Sequence, residues 1–531
     1  MGTKLIIASL AVISLPMNAQ ETYQDTKFVD NELNGTARYV GMGGAMEALG
    51  ADISTINTNP AGIGLFRKSQ AALSFGFVSQ TGESTNIGLS ANKTNASFDQ
   101  AGFVWTHKTG AKSFVNFAFN YHKSRNFDQI LSAFNTLDNA SQNKLTKFKY
   151  DYGKTLNSQN NNLIWNAVDE NYAKMLPYSS TQNTYGYYPA TDYTFGQYQK
   201  GYIGEYDINM SGNINDRVYL GLTIGIHDVH YKSASSYYEN LSYKDNSQNT
   251  ISGEAGNKEY QKITGTGYDI KAGIIFRPIE TSPFRVGLYI QSPTFYKLTI
   301  SNRASTILYP DLTSTVSTAI TNASNEMNGF DFRLNTPWKF GLSLGETIGR
   351  NLALGFTYEY SDYGSIDNRI ITGGYYEYDD IYGDEYYENS ESDDEMNHHT
   401  ENTLKGVSTL KFGLEYKPLA NLSLRCGYNY VSPAFEEDGY RDGTLISQGS
   451  AISASTDYTN WKATNRFTLG VGYIYKNYSF DAAYQYSITK GDFYPFESYR
   501  DEQYPDDNNI ATATSVSNKR NQFLFTLGYK F

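Results

Sequence analysis

The chain has 531 residues and a formal net charge of −12, with 47 Tyr, 29 Phe, 46 Gly and a single Cys. One cysteine excludes a secreted domain stabilised by disulfides, and the acidic balance argues against nucleic acid as a partner because phosphate binding depends on clustered Lys and Arg. Beyond the N-terminus, no apolar run approaches the ~18 residues of a membrane helix. A β-barrel is compatible with this composition because its strands are apolar on one face only.

The N-terminus is typical of a secretory signal peptide. Lys4 precedes an apolar run from Leu5 to Leu15, which is too short to span a membrane, and the small residue Ala19 precedes Gln20. We therefore expect residues 1–19 to be removed and the rest of the chain to be exported.

Residues 20–68 form a Gly- and Ala-rich segment ahead of the first predicted strand. Its distinctive residues are Gly43, Gly44, Asp52, Asn59, Pro60, Ala61 and Gly62. Pro60 breaks strand pairing and fixes a turn, while Ala61 and Gly62 allow the backbone to approach a neighbouring wall closely. We expect a plug held against such a wall; the alternative is a plain connector.

The remainder of the chain, 69–531, is dominated by period-two alternation, which predicts β-strands. At its C-terminal end, for example, the apolar residues Phe523, Phe525, Leu527, Tyr529 and Phe531 alternate with small or polar ones. Fourteen such runs are predicted, near 69–79, 95–107, 112–123, 198–212, 217–232, 259–277, 284–300, 328–345, 350–364, 403–417, 421–432, 462–476, 478–489 and 516–531.

Connections between these strands alternate between short turns and long loops. The short turns lie at 108–111, 213–216, 278–283, 346–349, 418–420 and 476–477. A soluble sandwich or propeller gives no reason for this segregation, whereas outer-membrane barrels have short periplasmic turns and long extracellular loops. We therefore predict an all-β fold: a 14-stranded antiparallel transmembrane β-barrel, with the N-terminal segment as a hatch inside its lumen and long extracellular loops.

Alternation also assigns the two faces of the barrel wall. Apolar positions face lipid, and among them is the single cysteine, Cys426. The intervening positions face the lumen, where charges of both signs fall on neighbouring strands: Glu359, Lys411, Glu415, Arg425 and Arg466. We interpret these charges as a structural lumen network; a role in orienting a ligand is the alternative.

Two long loops carry patterns of their own. In the loop at 124–197, Ile130, Phe134 and Leu137 have helical spacing, which suggests a helix at the outer mouth that either captures an apolar ligand or only caps the barrel. The loop at 375–402 is dense in Tyr and acidic residues and is predicted to be a solvated surface loop. Its carboxylates lack the spacing of a calcium-binding loop.

No motif in the chain predicts a metal centre, a cofactor site or a catalytic group. The Gly-rich stretch at 41–44 follows no strand, as a dinucleotide-binding loop would. His227 and His230 are three apart on a strand and point to opposite faces, and His398-His399 lie in the acidic loop. We therefore expect no metal, no cofactor and no enzymatic activity.

Several motifs in order along the chain resemble the FadL/TodX family of outer-membrane transporters. The stretch GTARYVGMGGA at 35–45, Asp52 and NTNPAG at 57–62 resemble the family's N-terminal hatch. Further resemblances lie at KAG (271–273), RVGL (285–288), LNTPW (334–338) and YEYSDY (358–363), and the chain ends in Phe531. The resemblance covers the mature chain and implies the same number of strands.

The resemblance implies passive uptake of small hydrophobic compounds across the outer membrane of a Gram-negative bacterium. The ligand would be fatty acid-like, aromatic or haem-like, and outer-membrane lipid and lipopolysaccharide would surround the barrel. Such a ligand would be caught at the outer loops, pass to an apolar lumen pocket and leave sideways through a gap in the wall when the hatch shifts. In that family the gap comes from a kink in the third strand. Residues 113–123 here contain no Gly or Pro, so Gly102 on the second strand is the nearest weak point.

Two other functions remain open. Some fourteen-stranded relatives belong to the type IX secretion pathway and bind exported proteins, a role that the long Tyr-rich and acidic loops would suit. A surface adhesin or structural barrel is the third possibility. The lumen discriminates among them, because a transporter needs a continuous apolar pocket behind the hatch, whereas a protein-binding barrel can have a filled, polar lumen.

Overall fold

The structure is a computed structural model that describes residues 21–30, 32–81, 93–138, 140–148, 176–179, 184–245, 247–312, 328–379, 383–445, 447, 453–500 and 508–531. The predicted signal peptide lies outside the described residues. The helices are α1 (Thr22–Val29), α2 (Ala37–Gly41) and α3 (Asp394–Thr403), with 3-10 turns at Ile53–Asn57, Pro60–Leu65 and Tyr363–Ser365 and helical backbone over 142–148. Among the described residues, no helix is long and apolar enough to cross a bilayer.

Strands make up most of the described chain. They are β1 (Gln70–Thr81), β2 (Thr94–Lys108), β3 (Phe114–Asn126), β4 (Gln129–Thr136), β5 (Tyr178–Ser179), β6 (Thr184–Tyr185), β7 (Ala190–Ile214), β8 (Val218–Lys244), β9 (Thr250–Phe276), β10 (Arg285–Gln291), β11 (Phe295–Tyr309), β12 (Asn328–Asn335), β13 (Lys339–Ile348), β14 (Leu352–Asp362), β15 (Asp367–Asp379), β16 (Gly383–Ser392), β17 (Gly406–Leu419), β18 (Leu422–Val431), β19 (Tyr458–Tyr475), β20 (Tyr478–Tyr494) and β21 (Thr514–Lys530).

These strands close into an antiparallel barrel. Within the described residues, the wall runs through fourteen strands in the order β1, β2, β3, β7, β8, β9, β10, β13, β14, β17, β18, β19, β20 and β21, and β21 pairs with β1. The predicted antiparallel barrel and its number of strands are therefore confirmed. Beyond the membrane, β11, β12, β15 and β16 extend the wall outward as further paired strands.

The outer face of the wall is an apolar belt. On β8, Leu220, Leu222, Ile224 and Ile226 are exposed, while the next outward-facing residues, Asp228, His230 and Lys232, are polar. Those four apolar positions cover roughly 20 Å of strand, close to the ~25 Å apolar band of outer-membrane barrels. Because such a belt is stable only against hydrocarbon, the chain is a multi-pass protein of the outer membrane.

One predicted loop structure was wrong. The residues with helical spacing, Ile130, Phe134 and Leu137, lie on strand β4 and the turn after it, because β4 continues β3 and pairs with β7. The helical backbone falls later, at 142–148. The acidic loop at 375–402 lies at the surface, with Tyr375 and Tyr387 exposed, and its described part belongs to the β15–β16 hairpin and helix α3.

The N-terminal segment rests on glycines of the barrel wall. Four of these glycines lie side by side in register on β13, β14, β17 and β18: Gly345, Gly355, Gly413 and Gly427. A Cβ atom at Gly355, Gly413 or Gly427 would overlap the backbone of Ala45, Met42 or Gly43, respectively. The wall therefore presents backbone atoms and no side chains at these four positions, where residues 41–49 lie against it.

A second group of wall glycines receives the Asn59-Pro60-Ala61 turn. Gly221 and Gly273 pair across β8 and β9, and a Cβ at either position would overlap Pro60 or Asn59. In the segment itself, Gly43 and Gly44 have φ values of +63° and +80°, a left-handed conformation that favours glycine. Ala61 and Gly62 were expected to allow close contact between the segment and the wall. In the structure, glycines of the wall itself provide the space for this contact.

We predict that Gly355→Ala displaces the N-terminal segment from the wall. The added methyl group would overlap the Ala45 carbonyl, and overpacking of this kind costs about 1–3 kcal/mol. Hydrogen exchange of residues 41–49 in detergent should become faster than in the wild type. Gly110→Ala is the control, because a Cβ there meets only Ser113, at 3.5 Å. Equal exchange in both variants would contradict the backbone-to-backbone contact.

Candidate functional site

The N-terminal segment, residues 21–68, runs through the barrel from its extracellular side to its periplasmic side. Helix α1 lies beside helix α3 of the outer loops, where the Thr22 and Thr400 hydroxyls are 2.8 Å apart. The chain then passes β3, where the Glu32 N–H donates to the Ser124 carbonyl over 3.0 Å. After α2 and the two 3-10 turns it reaches β1, and its residues are almost all buried.

Short side chains stabilise the periplasmic half of this segment. Both oxygens of Asp52 accept from the Thr36 hydroxyl at 2.9 Å, and one also accepts from the Ser54 N–H, so Asp52 caps the turn at Ile53–Asn57. Asn59 caps the next turn by accepting from the Ala61 N–H at 3.1 Å, and Pro60 opens that turn. Gly62 faces Thr55 within the segment and not the wall.

Ion pairs join the same segment to inward-facing charges. Lys411 lies 2.9 Å from Glu359 on the wall and 2.9 Å from Glu47 of the segment. The Tyr289 hydroxyl donates to Glu359 over 2.7 Å, and that of Tyr39 donates to Glu47 over 3.0 Å. Glu359 and Lys411, two of the five predicted lumen charges, therefore form an ion pair, and Lys411 also binds the N-terminal segment.

A second ion-pair group lies nearby. Arg425 bridges Glu415 at 2.7 Å and Asp481 at 2.6 Å, and Arg38 of the segment reaches Glu415 at 3.1 Å. Burial opposes the charge of Arg38, but the Glu415 carboxylate outweighs it and raises the pKa of the guanidinium. The five predicted lumen charges thus form no single network, because the fifth, Arg466, bonds instead to the Asn429 amide oxygen at 2.8 Å.

A buried charged cluster on β3, β7, β8 and β9 was missed from the sequence. Its members are His122, Glu205, Asp207, His227, Asp269 and Lys271. The two nitrogens of His122 lie 3.3 Å from Glu205 and 3.3 Å from Asp207, and Lys271 contacts all three carboxylates. With both imidazoles protonated, the cluster is neutral. It also reaches the N-terminal segment, because Asn57 lies 2.7 Å from His122.

Two triads in this cluster have the spacing of metal ligands: His122 with Glu205 and Asp207, and Glu205 with His227 and Asp269. The Lys271 ammonium lies among their carboxylates, so a side chain of the protein already supplies the positive charge. As predicted, His227 and His230 point to opposite faces of β8. His227 is buried in the cluster, whereas His230 is exposed and pairs with Asp228 at 2.9 Å.

Above this cluster lies an apolar chamber. It is lined by buried side chains from many strands, among them Phe127, Ile203, Val229, Tyr231, Ile263, Tyr296, Leu298, Ile300, Phe332, Leu334, Val407, Phe435 and Tyr458. Helix α1 fills the chamber. Tyr23 stacks on Phe435 at 5.1 Å between ring centroids, and Phe28 meets Phe127 and Tyr231 edge-on at 6.0 and 6.3 Å.

Three arginines adjoin the chamber. Arg520 is paired with Glu32, Arg125 lies 3.5 Å from Asp30, and Arg466 faces the same carboxylates. Burial disfavours the charged form of Glu32, but the three guanidiniums outweigh it and lower the pKa of the carboxyl.

Two cavities meet beside these arginines. The outer cavity has a volume of about 200 Å³ and the inner one about 110 Å³, and both are lined mainly by polar and charged side chains. Asp30, Glu32 and Arg466 line both cavities and therefore mark their junction. The expected continuous apolar pocket is absent from the described residues, because α1 occupies the apolar chamber.

The wall is interrupted beside the N-terminal segment. Pairing between β2 and β3 ends at Gln100 and His122, although β2 continues to Thr94 and β3 to Asn126. Asp99 forms a bulge against β1 at the point where pairing stops. Gly102, the expected weak point, is instead fully paired on both sides, to Ala72 and Asn120. The interruption of the wall therefore lies at a β-bulge on β2 and not at a glycine or proline.

Asn34 of the N-terminal segment bridges this interruption. Its amide donates to Asp99 on β2 and to the Lys123 carbonyl on β3, each at 3.0 Å. Gln522 donates in turn to the Asn34 oxygen over 3.1 Å. The segment therefore ties together two strands that do not pair with each other there.

The predicted capture residues occupy different surroundings. Ile130 is buried, and its backbone exchanges two hydrogen bonds with the Gln80 side chain, both at 2.7 Å. Phe134 is 65% exposed on the outside, and Leu137 packs into a separate apolar cluster under the outer loops. His398 is exposed on α3, whereas burial lowers the pKa of the neighbouring His399.

No protein-family model and no curated protein matches the sequence. Among solved structures, the chain is similar to a Pseudomonas aeruginosa FadL homologue, with 14% identity, a TM-score of 0.48 and coverage of 94% of this chain and 99% of that one. It is also similar to the Ralstonia pickettii toluene transporter TbuX and the Pseudomonas putida toluene transporter TodX, at 12% and 11% identity and TM-scores of 0.46 and 0.43, with the same two coverages. At these identities the likeness concerns the fold.

We predict that docking of α1 weakens as pH rises. Burial raises the pKa of Asp25 well above its usual range, and the nearby Asn368 amide offsets only part of this effect. A carboxyl whose pKa is raised on docking stabilises the docked state below its free pKa, and that contribution is lost as pH rises through the docked pKa. Hydrogen exchange of residues 22–29 should therefore be several-fold faster at pH 8 than at pH 5, after correction for intrinsic rates.

Asp25→Asn should remove most of this difference, because an amide does not titrate. Asp52→Asn is the control, since Asp52 caps a turn far from α1. An undiminished pH dependence in Asp25→Asn would contradict the role of this carboxyl.

Proposed function

We propose that the chain is an outer-membrane channel for the passive uptake of small hydrophobic compounds. The observation that carries this proposal is the apolar chamber at the level of α1, built from side chains of at least eight wall strands and loops. Barrel lumens are ordinarily polar. A chamber of aromatic and branched side chains there can take an apolar molecule out of water, and desolvation would supply the affinity.

The N-terminal segment would serve as the hatch of this channel. Its residues 37–66 are held by wall glycines, by ion pairs through Glu47 and Arg38, and by apolar contacts of Ile53, Ile56 and Ile63. Passage straight through to the periplasm would require all of these contacts to break. Release through the side of the barrel requires less, because the edges of β2 and β3 are unpaired there and are joined by Asn34 and by a hydrogen bond from Lys123 to Ser97.

A ligand cannot enter the chamber in the arrangement seen here. Each of the two cavities alone is smaller than the ~300 Å³ lower bound of ligand pockets, and both are lined mainly by polar and charged side chains. Withdrawal of α1 would free the volume of its apolar side chains. The proposed cycle therefore begins with α1 leaving the chamber and ends when Asn34 releases the strand edges.

Binding of an exported protein is the second candidate function. The small, polar cavities favour it, because a barrel that only docks proteins needs no open apolar path. The extracellular β15–β16 hairpin, with Tyr375 stacked on Tyr387 at 5.6 Å, offers a Tyr-rich surface for such a partner.

Deletion of residues 20–62 should leave a folded barrel that leaks small polar solutes. The pairing of β1 with β21 closes the wall without this segment. The deletion removes α1 from the apolar chamber and the rest of the segment from the periplasmic half of the lumen. Liposome swelling with sugars of increasing size would measure the permeability. The control is Leu222→Ala on the lipid face, which leaves the N-terminal segment intact and reports any change in permeability that comes from altered membrane insertion. Permeability equal to that of the wild type would rule out a plugging role.

A further inference from the structure

Three lysines form a row across the outer face of the wall, here called the lysine row. Lys200 on β7 is the direct partner of Lys232 on β8, which is in turn the direct partner of Lys262 on β9. The residues Tyr231 and Ile263 beside them are buried in the apolar chamber, so the lysines face outward. Direct partners on antiparallel strands have Cβ atoms about 5 Å apart, and like charges at such positions repel each other. The row therefore destabilises the wall unless an anion lies on it.

The described chain does not neutralise the lysine row. Lys200 and Lys232 are exposed, and Lys262 is partly exposed. Among the described residues, no carboxylate lies within 4.0 Å of any of the three ammonium groups. Asp228, four residues before Lys232 on the same face of β8, is paired with His230 at 2.9 Å.

A second cationic row shows how the same fold neutralises such positions. Lys297 on β11 is the direct partner of Arg333 on β12, which is the direct partner of Arg369 on β15. Glu388 lies 2.7 Å from Lys297 and 3.4 Å from Arg333, and Asp367 lies 2.9 Å from Arg369. The described chain thus supplies carboxylates to this row and none to the lysine row, which indicates an external anion at the lysine row.

The lysine row lies on the extracellular side of the membrane interface. Tyr206, Ile226 and Tyr268 are exposed and in register across the same three strands. Tyrosines at one height are typical of the aromatic girdle where the hydrocarbon ends. Lys232 lies six residues beyond Ile226, roughly 20 Å along the strand and roughly 15 Å in height at a strand tilt of about 40°. The row is therefore at the level of the sugar head groups of the outer leaflet.

We propose that the lysine row binds the anionic core sugars of lipopolysaccharide in the outer leaflet. Phosphate and sugar carboxylate oxygens accept charge-assisted hydrogen bonds from ammonium groups. The acyl chains of the same molecule lie on the apolar belt below, so one amphiphile matches both parts of this face. A phospholipid carries its phosphate close to the tyrosines and does not reach the row. This site is on the outside of the barrel and is independent of the proposed transport function.

Native mass spectrometry of the purified protein in non-ionic detergent tests this proposal. The probes are a lipopolysaccharide with a phosphorylated core, the lipid A prepared from it, and phosphatidylglycerol. The wild type should bind the first probe most tightly. Lys200→Gln, Lys232→Gln and Lys262→Gln combined should weaken that binding at least about tenfold, because each lysine near an anionic lipid surface adds to the attraction. Binding of phosphatidylglycerol should stay unchanged.

The matched control combines Lys297→Gln, Lys405→Gln and Lys462→Gln. It removes the same positive charge from three lysines that each have a carboxylate of the chain within 3.2 Å. An equal loss of binding in this control would reduce the effect to net charge and overturn the site. Undiminished binding of lipopolysaccharide by the variant of the lysine row would overturn it as well. Lipid A or phosphatidylglycerol bound by the wild type as tightly as the whole lipopolysaccharide would overturn recognition of the core sugars.

Chemical labelling of the wild type keeps the test independent of how well the variants fold. Reductive methylation in detergent, followed by peptide mass spectrometry, gives the reactivity of each lysine. Bound lipopolysaccharide should slow the methylation of Lys200, Lys232 and Lys262 several-fold and leave that of Lys297 unchanged. Equal reactivity of the lysine row with and without bound lipopolysaccharide would contradict the proposal.

Discussion

Close packing of the N-terminal segment against wall glycines is the contact on which the rest of the lumen depends. Gly355, Gly413 and Gly427 leave room for the backbone of residues 42–45, and Gly221 and Gly273 leave room for Asn59 and Pro60. Seated there, the segment brings Arg38 and Glu47 to inward-facing charges of the wall. The same seating fixes the point from which residues 21–34 rise into the apolar chamber and reach β2 and β3.

The lumen consequently contains regions of different chemistry. The Glu359–Lys411 pair and the charged cluster that includes His122 and Glu205 line one cavity, and the apolar chamber with its three arginines lies further toward the outer loops. The upper part of the segment is held by the apolar packing of α1 and by polar contacts of residues 22, 30, 32 and 34 with the outer loops and the wall.

Sequence reasoning was most reliable where the bilayer imposes a pattern. Lipid selects apolar residues at every second position, so all fourteen wall strands could be placed from sequence. Alternation assigns a face but no height along the barrel axis, so it could not bring His122, Glu205 and Asp269 together, nor align Gly345 with Gly355, Gly413 and Gly427. These sets depend on strand register. The helix predicted around Ile130, Phe134 and Leu137 was wrong. The spacing of these residues fits a helix, but the backbone of this stretch pairs with β7 and forms strand β4.

Native mass spectrometry of the protein, extracted gently from its own outer membrane, tests the central claim most directly. A channel whose chamber accepts small apolar molecules should retain a bound species of a few hundred daltons, and loss of that species on collisional activation would give its mass. An exported protein that co-purifies in stoichiometric amount, with no small molecule bound, would contradict the transport account and favour the protein-binding one.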